Sequence, residues 1–176
     1  MAKPSHWFCP DLYFRSVAAV DLDLLWARGI RGLIMDLDNT LVPWRSMEIP
    51  RDVAAWAAKA RAMGFGICIA SNTRRYRRLS IVADALDAVF VTGVSKPRPG
   101  GFRKSLIAFG LDPSQAAVIG DQLLTDMWGA HRAKIMGIYV DRLSDRELFI
   151  TKFNRNLERV ILRALKKSGT MPPRQG

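Results

Sequence analysis

The chain has 176 residues, enough for one domain with its own hydrophobic core and no disulfide or metal staple. Its composition, 49% hydrophobic and 24% charged, is globular, and no apolar run approaches the ~18–20 residues of a membrane-spanning helix. Twenty-seven Lys and Arg against 16 Asp and Glu leave a net charge of +11, which favours polyanionic partners without choosing among nucleic acid, an anionic membrane surface and phosphorylated substrates.

Residues 1–14 carry Pro and Asp where a secretory signal needs an unbroken apolar segment, so the expected location is the cytoplasm. The two cysteines, Cys9 and Cys68, are too few for a disulfide framework. Leu22, Leu25 and Trp26 predict a short amphipathic helix stopped by Gly29, followed by a buried strand over 30–35 that ends at Asp36. Pro50 opens a helix whose apolar face is Val53, Trp56, Ala57, Ala60 and Met63, and Gly64 closes it. A second strand covers 65–70. Leu79, Val82, Ala83 and Leu86 mark the next helix, and 88–91 reads as a third strand. Phe102, Leu106 and Phe109 give a helix closed by Gly110, and 116–119 a fourth strand. A helix over about 125–135 and a strand over 138–140 complete the alternation.

Strands that are apolar throughout, alternating with helices, predict an α/β fold: a three-layer, doubly wound parallel sheet covered on both faces. The domain core is expected over about 29–141. Residues 142–176 read as a basic linker, one amphipathic helix and a frayed tail of the same single domain.

In such a sheet, ligands bind beyond the carboxyl ends of the strands. There the sequence places Asp36-Leu37-Asp38-Asn39-Thr40, then Ser71-Asn72-Thr73, then Lys96-Pro97, then Gly120-Asp121 with Asp126 following. An isolated Asp-x-Asp is most simply a helix cap beside a solvated acid. With acids, a hydroxyl and an ammonium at equivalent strand ends, one shared cleft is the better reading. Carboxylates crowded after an apolar strand repel each other and lose hydration, and a divalent cation compensates both effects. Oxygen ligands without His or Cys suit Mg²⁺ better than zinc.

This order of motifs resembles the haloacid dehalogenase-like superfamily of phosphohydrolases, over roughly residues 30–141. The resemblance implies that Asp36 attacks phosphorus to form an aspartyl-phosphate, and that Asp38 serves as general acid and then general base. It further implies that Ser71 and Asn72 hold phosphoryl oxygens, and that Lys96 offsets their charge. Asp36, Asp38 (through its backbone carbonyl), Asp121 and Asp126 would hold Mg²⁺. Members that dehalogenate lack an acid at the position of Asp38, so phosphate esters are the implied substrates.

Thirty-five positions separate Asp36 from Ser71, and twenty-five separate each later pair of motifs, which leaves no room for a cap domain. An uncovered site suits a large or surface-embedded substrate, although a partner subunit could also supply a lid. More closely, the chain resembles the YqeG family of capless, subclass IIIA phosphatases. It does so through Gly29-Ile30-Arg31-Gly32, Leu41-Val42-Pro43-Trp44, Val118-Ile119-Gly120-Asp121-Gln122 and the 151–163 segment. It departs at Thr73, where a second Asn is expected. The family is similar to phosphatases acting on phosphatidylglycerophosphate, which makes that lipid the implied substrate and peripheral attachment to the inner face of the membrane its corollary.

Arg74, Arg75, Arg77 and Arg78 follow Ser71 directly and read either as collectors of an anionic headgroup, with Arg74 and Arg75 foremost, or as a solvated helix face. In the last helix Phe153, Leu157, Val160, Ile161 and Leu165 oppose Arg155, Arg159, Arg163, Lys166 and Lys167. That face packs on its own domain or lies on anionic lipid. Trp44 reads equally as a substrate contact or as packing. The rival functions are a soluble phosphatase for small metabolites or nucleotides and a non-enzymatic RNA- or ribosome-binding protein. The latter ranks last, since only Tyr76 interleaves the arginine cluster.

Overall fold

The structure, a computed structural model, describes residues 7–144 and 149–176, with side chains from 7–144 and 156–176. It contains β1 (Leu12–Phe14), α1 (Leu22–Ala27), β2 (Gly32–Met35), α2 (Arg51–Ala62), β3 (Gly66–Ala70), α3 (Tyr76–Ala85) and β4 (Val89–Val91). There follow α4 (Gly100–Phe109), β5 (Ala116–Gly120), α5 (Trp128–Ala133), β6 (Met136–Val140), α6 (Phe149–Lys167) and β7 (Arg174–Gln175). The strands form one sheet in the order β4-β3-β2-β5-β6-β1-β7, and every pairing is parallel.

β2 shows why its sequence is apolar at each position. Leu33 and Met35 belong to the core shared with Trp56, Leu79 and Val82 on one face of the sheet. Ile34 packs with Phe102, Leu106 and Ala130 on the other. Helices α2 and α3 therefore cover one face, and α4 and α5 the other, as a doubly wound parallel sheet requires. The chain proceeds outward from β2 to β3 and β4, then returns to β5 on β2's other side. The crevice where the order reverses opens at the carboxyl ends of β2 and β5, where Asp36 and Asp121 stand.

Two strands escape the sequence pattern. β1 has three residues, too few for a period to register, and β7 is Arg-Gln, with no apolar residue. The C-terminal tail is thus an edge strand and not frayed: Tyr13 is in register with Arg174 and Phe14 with Gln175. Asp141 ties this edge together, accepting from the Tyr13 hydroxyl at 2.6 Å and pairing with Arg174 at 2.6 Å. The sheet accordingly extends well outside the 29–141 core, on both sides in sequence.

The helix expected over 125–135 begins earlier, as a π-helical turn over Leu123–Met127 that leads into α5. The amides of Asp126 and Met127 both donate to the Gln122 carbonyl, at 3.0 and 3.2 Å. Such single π turns commonly occur at functional sites.

α6 packs on the domain through Leu165, which joins Leu123 and Met127 in a small third core, and through buried Glu158, which accepts from the Leu124 amide at 2.9 Å. Leu157 and Val160 face outward beside Arg159 and Arg163. Phe153 and Arg155 lie outside the described side chains. Among the described residues no helix is long and apolar enough to cross a membrane.

Candidate active site

Asp36 is the first residue after β2, and its amide donates to the Ile119 carbonyl at 3.0 Å, which carries the alignment with β5 one residue past the strand. The chain then folds back over buried Leu37, Leu41 and Val42. Asn39 makes the reversal possible in a left-handed conformation (φ 62°), a region Asn tolerates better than most residues. Its amide donates to the Val42 carbonyl at 2.8 Å. Its side-chain oxygen accepts from the Ser144 hydroxyl at 2.7 Å and the Trp44 amide at 3.3 Å. The loop is thereby fixed from within and from the segment after β6. Trp44 is half-buried, with the Arg45 guanidinium 4.3 Å from its ring centroid.

Lys96 is the centre of the site. Its ammonium donates to Asp36 Oδ1 at 2.6 Å and to Asp126 Oδ1 at 2.7 Å, and all three side chains are buried. Asn72 holds the backbone of Lys96 at both ends, accepting from its amide at 2.9 Å and donating to its carbonyl at 3.2 Å. Asp126 Oδ2 also accepts from the Gln122 amide at 3.2 Å, and Asp121 accepts from the Thr40 hydroxyl at 3.3 Å. One carboxylate oxygen from each of Asp36, Asp121 and Asp126 lies within 4.8 Å of the others. Ser71, buried at the end of β3, accepts on its hydroxyl from the Thr73 amide at 3.3 Å.

The electrostatics follow from this crowding. Burial pushes the Asp36 carboxyl up to about 6; Lys96 pulls it back, while Asp126 and Asp38 add to the rise. For Lys96, burial favours the neutral amine, but the charges of Asp126 and Asp36 outweigh it and raise the pKa, so Lys96 is a cation. The donor set is oxygen only and free of sulfur and imidazole, which suits a hard divalent cation. The buried Asp36, Asp121 and Asp126 cluster fits a metal site.

Gly120 makes this geometry possible. A Cβ there would fall on the Asp126 carboxylate. Gly120→Ala is expected to displace Asp126 from Lys96, weakening divalent-cation binding at least tenfold and lowering the melting temperature; calorimetric titration and thermal unfolding measure both effects.

The Asp38 side chain lies outside the acidic cluster, to which the sequence expectation gave only its backbone carbonyl: its oxygens accept from Arg78 at 2.8 and 3.0 Å and from the Arg45 amide at 3.0 Å. Within the arginine cluster, Arg74 and Arg75 are exposed, whereas Arg78 is buried and also donates to the Ser46 carbonyl at 2.7 Å. Neither a headgroup collector nor a solvated face describes Arg78. Its position four residues before Val82, on the buried face of α3, is the signal that could have found it. The Asn72 side chain supports Lys96, while the contact with substrate expected of this residue is through its backbone amide.

A profile of haloacid dehalogenase-like hydrolases matches residues 45–134. "Probable phosphatase YqeG" from Bacillus subtilis is 34% identical over 163 residues, covering 93% of this chain and 94% of that one. The chain belongs to the haloacid dehalogenase-like hydrolases, in the YqeG family. It is a phosphatase of that superfamily. "Phosphatidylglycerophosphate phosphatase 1, chloroplastic" from Chlamydomonas reinhardtii is 30% identical over 173 residues, covering 93% of this chain, which spans 64% of that relative's length. An uncharacterized protein from Listeria monocytogenes serotype 4b has a similar solved fold, with a TM-score of 0.54 at 22% identity, over 68% of this chain and 85% of that one. In this haloacid dehalogenase-like chain, α2 is the only helix between Asp36 and Ser71, and no cap domain is inserted there.

Proposed function

We propose that the protein is a Mg²⁺-dependent phosphomonoester hydrolase that works through an aspartyl-phosphate on Asp36. The observation that carries this reading is Lys96 bridging Asp36 and Asp126, with Asp121 alongside, at the crevice of the sheet. Asp36 Oδ attacks phosphorus and the P–O ester bond breaks, while Asp38 gives its proton to the departing oxygen. Asp38 then takes a proton from the water that hydrolyses the acyl phosphate, which releases inorganic phosphate and restores Asp36. Ser71 and the Asn72 amide hold phosphoryl oxygens, and Lys96 fixes Asp36 in line while offsetting charge on the transferring group. Asp36, Asp121 and Asp126 would hold Mg²⁺, together with the Asp38 carbonyl, and when bound the ion supplies charge neutralisation and orientation of the phosphoryl group. Arg74 and Arg75 would attract an anionic substrate, a role their exposure just beyond Ser71 supports.

The substrate we favour is phosphatidylglycerophosphate, converted to phosphatidylglycerol at the inner face of a membrane. The similarity to the Chlamydomonas enzyme, the absence of a cap and the cations on the outer side of α6 support it. A soluble phosphoester is the second reading, favoured by the packing of α6 on the domain through Leu165 and Glu158, which accounts for that helix without a membrane. Turnover of phosphatidylglycerophosphate in mixed micelles, measured beside a panel of soluble phosphoesters, separates the two. The lipid is expected to exceed every soluble ester in kcat/KM, and chelation of Mg²⁺ to abolish turnover of all of them. A soluble ester that outperforms the lipid rejects the lipid assignment.

A further inference from the structure

Asp36 and Asp38 leave one strand end two residues apart, a spacing that aims both side chains the same way on extended backbone. They nevertheless separate. Asp36 joins Lys96 and the acidic cluster, while Arg78 takes Asp38 with two guanidinium N–H groups, at 2.8 and 3.0 Å. The third guanidinium contact, Nε to the Ser46 carbonyl at 2.7 Å, fixes the fork against the loop it serves. Only 7% of the Arg78 side chain is accessible, against 25% for Asp38. A buried fork anchored at three points sets an orientation, which an exposed ion pair does not.

We propose that Arg78 is a positioning residue that keeps the Asp38 carboxylate apart from Asp36, Asp121 and Asp126, so that it serves proton transfer instead of becoming one more ligand of the cation. The inference rests on the roles assigned to Asp36 and Asp38 under the proposed function. A carboxylate oxygen that ligates a divalent cation is committed to the ion and no longer free to face the leaving oxygen or the attacking water. Asp38 is near enough in sequence to reach such an ion. Arg78 opposes that approach with a competing cation of fixed geometry. Arg45 contributes through its amide alone, so its side chain is not part of the device.

The experiment compares wild type with Arg78→Met and Arg78→Lys on two Mg²⁺-loaded reactions. One ester is an alkyl phosphate, whose leaving oxygen needs a proton; the other is p-nitrophenyl phosphate, whose leaving group departs without one. Mg²⁺ affinity is measured on the same proteins by titration calorimetry. In Arg78→Met, single-turnover release of the alcohol from the alkyl ester, which precedes the hydrolysis common to both esters, is expected to slow about 100-fold, the usual scale of general acid catalysis, with a loss under about tenfold in release of p-nitrophenolate from the aryl ester. Mg²⁺ binding is expected to tighten severalfold as Asp38 joins the cluster. Arg78→Lys, which keeps the charge but not the fork, is expected to lie between, and it decides the matter if Arg78→Met does not fold. An equal loss on both esters, or an unchanged Mg²⁺ affinity, overturns the role of Arg78 alone. A wild-type protein that hydrolyses neither ester overturns the proposed reaction and the role together.

Discussion

Asp36→Asn is expected to lower turnover of every phosphomonoester by at least 10⁴-fold while leaving the fold in place, the scale on which losing an enzyme's nucleophile acts. The physical reason for both halves lies in the same contacts. Asn keeps the shape of the side chain, and Lys96 retains Asp126 at 2.7 Å, so the buried ammonium is not orphaned. The substitution also removes a carboxyl that burial and Asp126 push up to about 6, a group that is costly to keep ionised inside the domain. Stability should therefore change by less than about 1 kcal/mol, which is about 2–4 °C in melting temperature for a chain of this size. Steady-state kinetics and thermal unfolding on one preparation check both parts. A variant that loses activity only because it unfolds would not support the assignment.

Lys96→Met is expected to do the reverse, costing stability as well as activity. Two buried carboxylates would face each other across the place the ammonium occupied. Removing one partner of a buried charge pair costs about 3–5 kcal/mol, which corresponds to a fall of about 6–20 °C in melting temperature. Turnover should fall about 10³-fold with the loss of the group that fixes Asp36 and meets the phosphoryl charge. The deficit should depend on pH in a defined direction. Asp36 already lies above its ordinary value, and losing Lys96, which pulls it down, raises it further, so the folded variant binds that proton more tightly than wild type does. Its stability relative to wild type therefore improves as pH falls through the raised pKa of Asp36. Melting temperatures at about pH 5 and about pH 8 test that sign. Added Mg²⁺ should also restore part of the loss at neutral pH, since it supplies charge to the same oxygens.

How much of this was legible in the sequence depended on whether a residue's role was local. β2, β3 and β5 are buried on both faces, so their apolar runs are unambiguous, and the polar residues that end them fall at one rim by the geometry of a parallel sheet. Asp36, Ser71, Lys96, Asp121 and Asp126 were expected at that rim for this reason, and Asp36, Lys96, Asp121 and Asp126 do come together there, with Ser71 at the end of β3; the capless outline followed from the spacing between them. β1 and β7 were missed because three residues and a dipeptide cannot display a period, and the pairing of β1 with β6 and with β7 spans most of the chain. Arg78 was hidden for a different reason. It stands in a run with Arg74, Arg75 and Arg77, and composition cannot tell which of four arginines turns inward. Only its register with Leu79 and Val82 on α3 distinguishes it. Asn72 was assigned to substrate through its neighbourhood with Ser71, and its side chain has a second partner that this neighbourhood does not show. That its amide group brackets the backbone of Lys96 depends on a loop conformation 24 residues away.

The central claim is that Asp36 carries the phosphoryl group during turnover. Acid quenching of the enzyme during reaction with a ³²P-labelled phosphomonoester, followed by peptide mapping, measures this directly. Acid-stable, hydroxylamine-labile label is expected on the peptide containing Asp36, and none in Asp36→Asn. Label on Ser71, or efficient wild-type turnover with no labelled protein at any quench time, would contradict it.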